Sequence, residues 1–276
     1  MQFHILTIFP EFFRGPLDFG VLRRARQSAL VDVQTHDLRE FTSDRHRTVD
    51  DRPYGGGEGM VLKPEPVFDA VASLGVAPVG ERSARRESVV LLSAQGQVFR
   101  QSVAHELAGM DRVVLICGRY EGVDERVNEL LCDRELSIGD YVLSGGEIAA
   151  AVVVDAVVRL LPGVLGNADS SRFESFGVGE GVGEATRVGG VPRVTHGAGG
   201  LLDYPHYTRP AEFRGAAIPE VLMGGDHDAI RRWRRRMALT KTLRNRPDLL
   251  GGATLSREDE AILEELRRAR AIEEPQ

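Results

Sequence analysis

Apolar positions over the first 165 residues change period several times, and each change predicts an element. Gln2 to Phe9 runs from alternation into an apolar stretch that ends at Pro10, the pattern of a strand. Phe12 to Leu30 carries apolar residues at helical spacing with basic residues between, and Val31 to Asp37 reads as a second strand. Pro64 to Leu74 predicts a helix with proline in its first turns. Ser88 to Ser93 (SVVLLS) and Arg112 to Gly118 (RVVLICG) are short and almost wholly apolar. Such runs suit a parallel sheet covered on both faces. Ser102 to Ala108, Val123 to Leu131 and Ser144 to Leu161 read as helices, the last stopped by Pro162 and Gly163. Alternating strands and helices predict an α/β domain.

The pattern then breaks. Gly177 to Gly200 holds nine glycines in 24 residues and no apolar periodicity, which by composition is a flexible linker or lid. Helical spacing returns at Ala229 to Arg244 and Arg257 to Ile272. The expected organisation is therefore a domain at 1–165, a joint at 166–212 and a helical domain at 213–276.

Composition narrows the function classes. The 276 residues carry a formal net charge of -6, which argues against a surface that is basic throughout. It leaves room for a local basic site. From Arg231 to Arg246 eight basic residues occur with no acidic one, and Trp233, the single tryptophan, lies inside. At helical spacing these charges cover most of the circumference. The segment suits RNA, a protein partner or a membrane surface, while the acidic residues from Glu258 to Glu265 offer an internal partner. No apolar run approaches the roughly 18 residues of a membrane span. The N-terminal residues lack the marks of a signal peptide. Cys117 and Cys132 make neither a disulfide framework nor a metal cluster. The expectation is a cytoplasmic protein without a membrane or a disulfide partner.

The usual phosphate-loop, dinucleotide and serine-nucleophile motifs are missing from the sequence. Three glycine-rich turns take their place: Leu92-Ser93-Ala94-Gln95-Gly96, Gly118-Arg119-Tyr120-Glu121-Gly122, and Ser137-Ile138-Gly139-Asp140-Tyr141-Val142-Leu143-Ser144-Gly145-Gly146. Loops at the carboxyl ends of parallel strands build ligand sites, and glycine lets the backbone approach a ligand closely. A fourth segment, 45–60, brings Arg45, His46, Arg47 and Arg52 close to Asp50 and Asp51 ahead of a glycine cluster. Its arginines suit phosphate, and its carboxylates suit base N–H groups.

These blocks together resemble the bacterial tRNA (guanine-N1)-methyltransferases of the TrmD family. The likeness rests on RHRTVDDRPYGGGEGM at 45–60, LLSAQG at 91–96, CGRYEGVDERV at 117–127 and SIGDYVLSGGE at 137–147. It continues in LLPGVLGN at 160–167, LLDYPHYTRP at 201–210 and IRRWR at 230–234.

The resemblance implies a SPOUT-type α/β fold with a parallel sheet and a deep trefoil knot, plus a small helical C-terminal domain. It implies S-adenosylmethionine held by Leu92, Ser93, Ala94, Gly118, Tyr120, Glu121, Gly122, Ser137, Ile138, Gly139, Tyr141, Leu143, Gly145 and Gly146. It implies a homodimer and a tRNA substrate, recognised at the anticodon arm and methylated at guanine 37 when guanine 36 precedes it. The tRNA side would be met by Arg45, His46, Arg47, Asp50, Asp51 and Arg52, and by Tyr207, Arg209, Arg231, Arg232 and Arg234. The family's catalytic arginine maps onto Arg159. Its aspartate maps onto Glu174, in Glu174-Ser175-Phe176, with Asp169 as the alternative base. Magnesium is also implied, and the sequence offers no ligand cluster that would place it.

Overall fold

The computed structural model describes residues 1–166, 174–177, 186–188, 191–193 and 199–273. The chain divides into two compact units, Met1–Gly166 and Asn167–Gln276.

The first unit is built on a parallel sheet. Its strands are β1 (Gln2–Thr7), β2 (Asp32–Asp37), β5 (Glu87–Val98), β6 (Arg112–Cys117) and β7 (Arg134–Ser137), in the order β2-β1-β6-β5-β7. Two short strands, β3 (Asp50–Asp51) and β4 (Val61–Leu62), form a separate antiparallel pair. Helices α1 (Gly20–Gln27), α2 (Pro64–Ser73), α3 (Gln101–Ala108), α4 (Glu125–Leu131) and α5 (Glu147–Val158) complete the unit.

Period-2 side-chain alternation explains the two-sided core. Phe3 and Ile5 of β1 join Val90 and Leu92 of β5, with the apolar residues of α1, α3 and α5, on one face. Leu6, Val89, Leu91, Val114 and Ile116 join α2 and α4 on the other. The centre of β6 is apolar without interruption because both of its faces are buried, with Val113 to Ile116 fully buried. Each such side chain stabilises the fold by about 1.5–3 kcal/mol. Truncating Leu115 to Ala, with its cavity, costs about 2–5 kcal/mol.

Several element boundaries differ from the sequence expectation. Phe12 to Leu30 is not one helix. Two 3-10 turns, Pro10–Arg14 and Pro16–Asp18, precede α1. Pro16 lacks an N–H, and Gly20 sits at φ +59°, so a continuous helical ladder cannot pass through. The turn expected at Leu92 to Gly96 is absorbed into β5, which runs on to Val98 with a register irregularity between Leu92 and Gln97. The third glycine-rich loop follows β7, a strand too short and polar to stand out in the sequence. Helix α5 starts at Glu147, three residues late, and α4 starts at Glu125.

In the second unit, strands β8 (Thr186–Val188) and β9 (Val191–Arg193) pair antiparallel within the glycine-rich stretch, where composition alone suggested no strand. Another short pair, β10 (Glu212–Phe213) and β11 (Ala216–Ala217), follows. Helices α6 (His227–Asn245) and α7 (Arg257–Glu273) pack through Leu239 and Leu263, together with Leu201. Asp226 caps α6 by accepting from the Asp228 and Ala229 amides. Ser256 and Asp259 form a reciprocal capping box at the start of α7. Among the described residues no helix is long and apolar enough to cross a membrane.

Candidate active site

The carboxyl ends of β5, β6 and β7 open onto one cavity of about 320 Å³. All the cofactor candidates, from Leu92 to Gly146, line it. So do Arg119, Glu125, Glu135 and Ala149, which sequence reasoning did not single out. Arg119 lies inside a quoted motif and was available to it. Glu135 belongs to β7, the strand the apolar pattern missed.

The glycines are explained by close backbone approach. A Cβ on Gly96 would lie 2.5 Å from the Leu136 backbone nitrogen, and one on Gly146 would lie 2.7 Å from Cys117 Cα. Real side chains do not fit at such distances, so the segments pack as closely as they do only with glycine. Tyr120 is held at φ +57°, unusual for an aromatic residue, and is half exposed at the rim. Strained backbone of this kind clusters at ligand sites.

Hydrogen bonds knit the loops together. Ser93 Oγ donates to Glu135 Oε1 at 2.5 Å, joining β5 to β7. The Gly146 N–H donates to the Gly118 carbonyl at 2.9 Å, joining the second loop to the start of α5. Ser137 Oγ accepts from the Gly139 N–H at 3.2 Å, and Tyr141 Oη donates to the Ile138 carbonyl at 3.1 Å. Burial pushes the Cys117 thiol well above its ordinary value, with Glu147 adding to the shift, so this thiol stays protonated and inert.

Segment 45–60 reaches the same cavity wall. The Glu121 N–H donates to the Met60 carbonyl at 3.0 Å, and the Leu62 N–H to the Gly122 carbonyl at 3.0 Å. Gly59 packs so tightly on the Glu121 side chain that a Cβ would come within 2.5 Å of its Oε1. Arg45, His46, Arg47, Asp51 and Arg52 are exposed, while Asp50 is half-buried in β3. Asp44 shapes their turn by accepting from the His46 and Thr48 amides and the Thr48 hydroxyl.

The tRNA (Guanine-1)-methyltransferase TrmD family matches residues 1–252. The chain belongs to the TrmD family. A tRNA (guanine-N(1)-)-methyltransferase of Koribacter versatilis (strain Ellin345) is 59% identical over 267 residues, spanning 97% of this chain and 98% of that protein. One of Dictyoglomus turgidum (strain DSM 6724 / Z-1310) is 49% identical over 268 residues, spanning 97% of both. One of Heliobacterium modesticaldum (strain ATCC 51547 / Ice1) is 48% identical over 268 residues, spanning 97% of this chain and 91% of that protein.

The remaining candidates are distributed over both units. Arg159 is half-buried just past the end of α5 in the first unit. Glu174 is half-buried in the second. Asp169 lies outside the described residues. On α6 the basic run splits into two sets. Arg235 is buried against Asp259, Arg231 pairs with Glu258 and Asp228, and Arg236 pairs with Glu265. These three take up the internal partner that the acidic C-terminal helix offers. Arg232 is exposed, and Arg234 stacks its guanidinium 4.9 Å from the Tyr204 ring centre. Tyr207 and Trp233 lie 6.2 Å apart, and Arg209 is exposed. Among the described residues no group of three His, Cys, Asp or Glu side chains could hold a metal ion.

Proposed function

We propose that this protein transfers a methyl group from S-adenosylmethionine to N1 of guanine 37 in tRNA, beside the anticodon. The observation that carries the reading is the cavity at the ends of β5, β6 and β7, joined by backbone hydrogen bonds to the end of segment 45–60. Membership of the TrmD family and the names of its relatives support it.

The cavity suits the cosubstrate. Its volume of about 320 Å³ falls within the range of about 300–1,000 Å³ found for small-molecule pockets. Glycine backbone brings N–H and carbonyl groups close to a ligand, while Tyr120, Tyr141, Ile138 and Leu143 supply apolar walls. When bound, S-adenosylmethionine supplies a methyl group on a sulfonium, whose leaving group is a neutral thioether.

The chain supplies the rest. Guanine N1 carries a proton and is a poor methyl acceptor while neutral. The Glu174 carboxylate, or Asp169 in its place, accepts that proton as transfer proceeds. Negative charge then grows on the base, chiefly at O6, and the Arg159 guanidinium stabilises it. Segment 45–52 and α6, with the exposed Arg232 and with Arg234 stacked on Tyr204, grip the anticodon arm. Alignment of acceptor and methyl is the remaining task, and that is positioning. In this reading the chain acts as a homodimer, with each site drawing on both copies, and the loops at the cavity form the trefoil knot.

The test is transfer of labelled methyl to a tRNA transcript carrying guanine at positions 36 and 37. Formation of N1-methylguanine at 37 is expected, and its absence with folded protein sinks the proposal. Glu174→Gln and Asp169→Asn assign the base. Loss of turnover in the Asp169 variant alone transfers the role to Asp169.

A further inference from the structure

Glu147 is a buried carboxylate that the chemistry above leaves unused. It is 1% exposed, at the first turn of α5, where the helix meets the cavity. Its Oε1 accepts from the Thr7 hydroxyl at 2.7 Å, at the carboxyl end of β1. Its Oε2 accepts from Arg119 Nε at 3.2 Å, in the loop after β6. The Arg119 guanidinium lies 4.5 Å from the centre of the Phe9 ring. Thr7 Oγ1 in turn accepts from the Phe9 N–H at 2.9 Å. One carboxylate thus ties together three chain segments that are remote in sequence.

Stability alone does not explain this arrangement. Taking a carboxylate out of water is costly, and a well-packed apolar group of similar volume often does as well or better. The location supplies a reason. Arg119 and Ala149 line the cavity, and Arg119 forms a bridge with Gly145. A Cβ on Gly145 would lie 2.2 Å from Arg119 Nε and 2.5 Å from Glu147 Oε2. The ion pair therefore seats directly on the backbone of the third loop and presses it against the second. Binding sites need their contact groups held to a fraction of an ångström, by neighbours whose own geometry is locked.

We propose that Glu147 is a positioning residue: acting through Arg119 and Thr7, it holds the 118–122 and 144–146 segments at the separation that binds the cosubstrate. This rests on the methyltransferase reading above.

The test measures binding of S-adenosylhomocysteine by calorimetry to the full-length chain without tRNA. Thermal melting and tRNA affinity are recorded alongside. Glu147→Gln keeps the size and an acceptor for Thr7 but removes the charge that orients Arg119. It should weaken S-adenosylhomocysteine binding by about tenfold or more, since charge-assisted contacts are the strong ones, and leave tRNA affinity within twofold. Arg119→Ala should weaken it similarly, and the double variant should be no worse than the poorer single, because both act through one contact. Glu147→Asp should recover part of the loss. Unchanged S-adenosylhomocysteine affinity in Glu147→Gln overturns the proposal. So do additive losses in the double variant, or a loss of tRNA and S-adenosylhomocysteine affinity in equal measure, which would mean general unfolding. A wild-type chain that binds no S-adenosylhomocysteine sinks the methyltransferase reading itself, and this proposal with it. A chain that binds S-adenosylhomocysteine but transfers no methyl to tRNA sinks only the reading of the substrate.

Discussion

Arg235 and Asp259 meet in a bidentate pair, with Nε to Oδ1 at 2.6 Å and Nη2 to Oδ2 at 2.8 Å, where α6 packs on α7. Both are buried. Burial pushes the Asp259 carboxyl up, but hydrogen bonds from Arg235 and from Ser256 outweigh it and leave the group below its ordinary value. A depressed carboxyl stabilises the fold above its unfolded value, near 3.9, and that contribution fades as pH falls through the folded value. Asp259→Asn leaves a buried guanidinium without its countercharge and should cost about 3–5 kcal/mol. Replacing both partners, as Arg235→Met with Asp259→Leu, should cost much less. Urea denaturation distinguishes the two, and equal losses would contradict this account of the pair.

His4 and His36 predict a second pH effect, in the first unit. His4 Nδ1 and His36 Nε2 lie 3.0 Å apart on neighbouring strands. Burial first, then the charges of His36 and Arg112, lower His4 to about 4, and burial lowers His36. Both folded values lie below the ordinary 6.5. The unfolded chain therefore takes up protons that the folded one refuses. Stability is full above about pH 6.5 and falls as pH drops towards 4, by up to about 1.4 kcal/mol per pH unit for His4, and His36 adds a loss of the same sign. Melting temperatures from pH 7.5 to 5 should show this slope, and His4→Gln should flatten it.

Gly146→Ala tests the close packing of the cavity. Its Cβ would lie 2.7 Å from Cys117 Cα and 3.1 Å from the Gly118 backbone nitrogen. Neither atom can yield without moving β6 or the loop after it. The substitution should destabilise by about 1–3 kcal/mol, as overpacking does, and should abolish S-adenosylhomocysteine binding. Gly166→Ala, with nothing within 4 Å of its Cβ, is the matched control. Calorimetry on both variants checks the contrast.

Charge on tRNA binding should be local. Arg45 and Arg52 are exposed in segment 45–52, whereas Arg236 is engaged by Glu265 at 2.7 Å. Arg52→Ala and Arg45→Ala should each weaken tRNA binding and make its logarithmic salt slope shallower by about 0.7–1 per lost phosphate contact. Arg236→Ala should change the slope less. Filter binding across a salt series reads both quantities, and equal slopes for all three variants would refute the local assignment.

The sequence by itself determined the parallel α/β core, the three glycine-rich segments and the likeness to the TrmD family. Runs such as SVVLLS and RVVLIC are apolar because both faces of a central parallel strand are buried, and that is a local signal. Motif blocks with glycine at fixed offsets are legible in the same way, because the residue itself stands in the sequence at Gly96, Gly145 and Gly146, although the atoms that demand it lie on other segments. The tertiary structure decided what depends on contact between distant segments. It joined Leu92 through Gly146 around one cavity, tied segment 45–60 to it at Met60 and, just beyond, at Leu62, and started α5 at Glu147 rather than Ser144. It split the basic run of α6 into arginines engaged by acidic partners and others facing elsewhere, which no count of charges could do. It also brought Thr7, Arg119 and Glu147 together across separations of 28 and 140 residues. A buried carboxylate shows no periodicity of its own. Its role comes from the atoms that surround it, and only the folded chain supplies those.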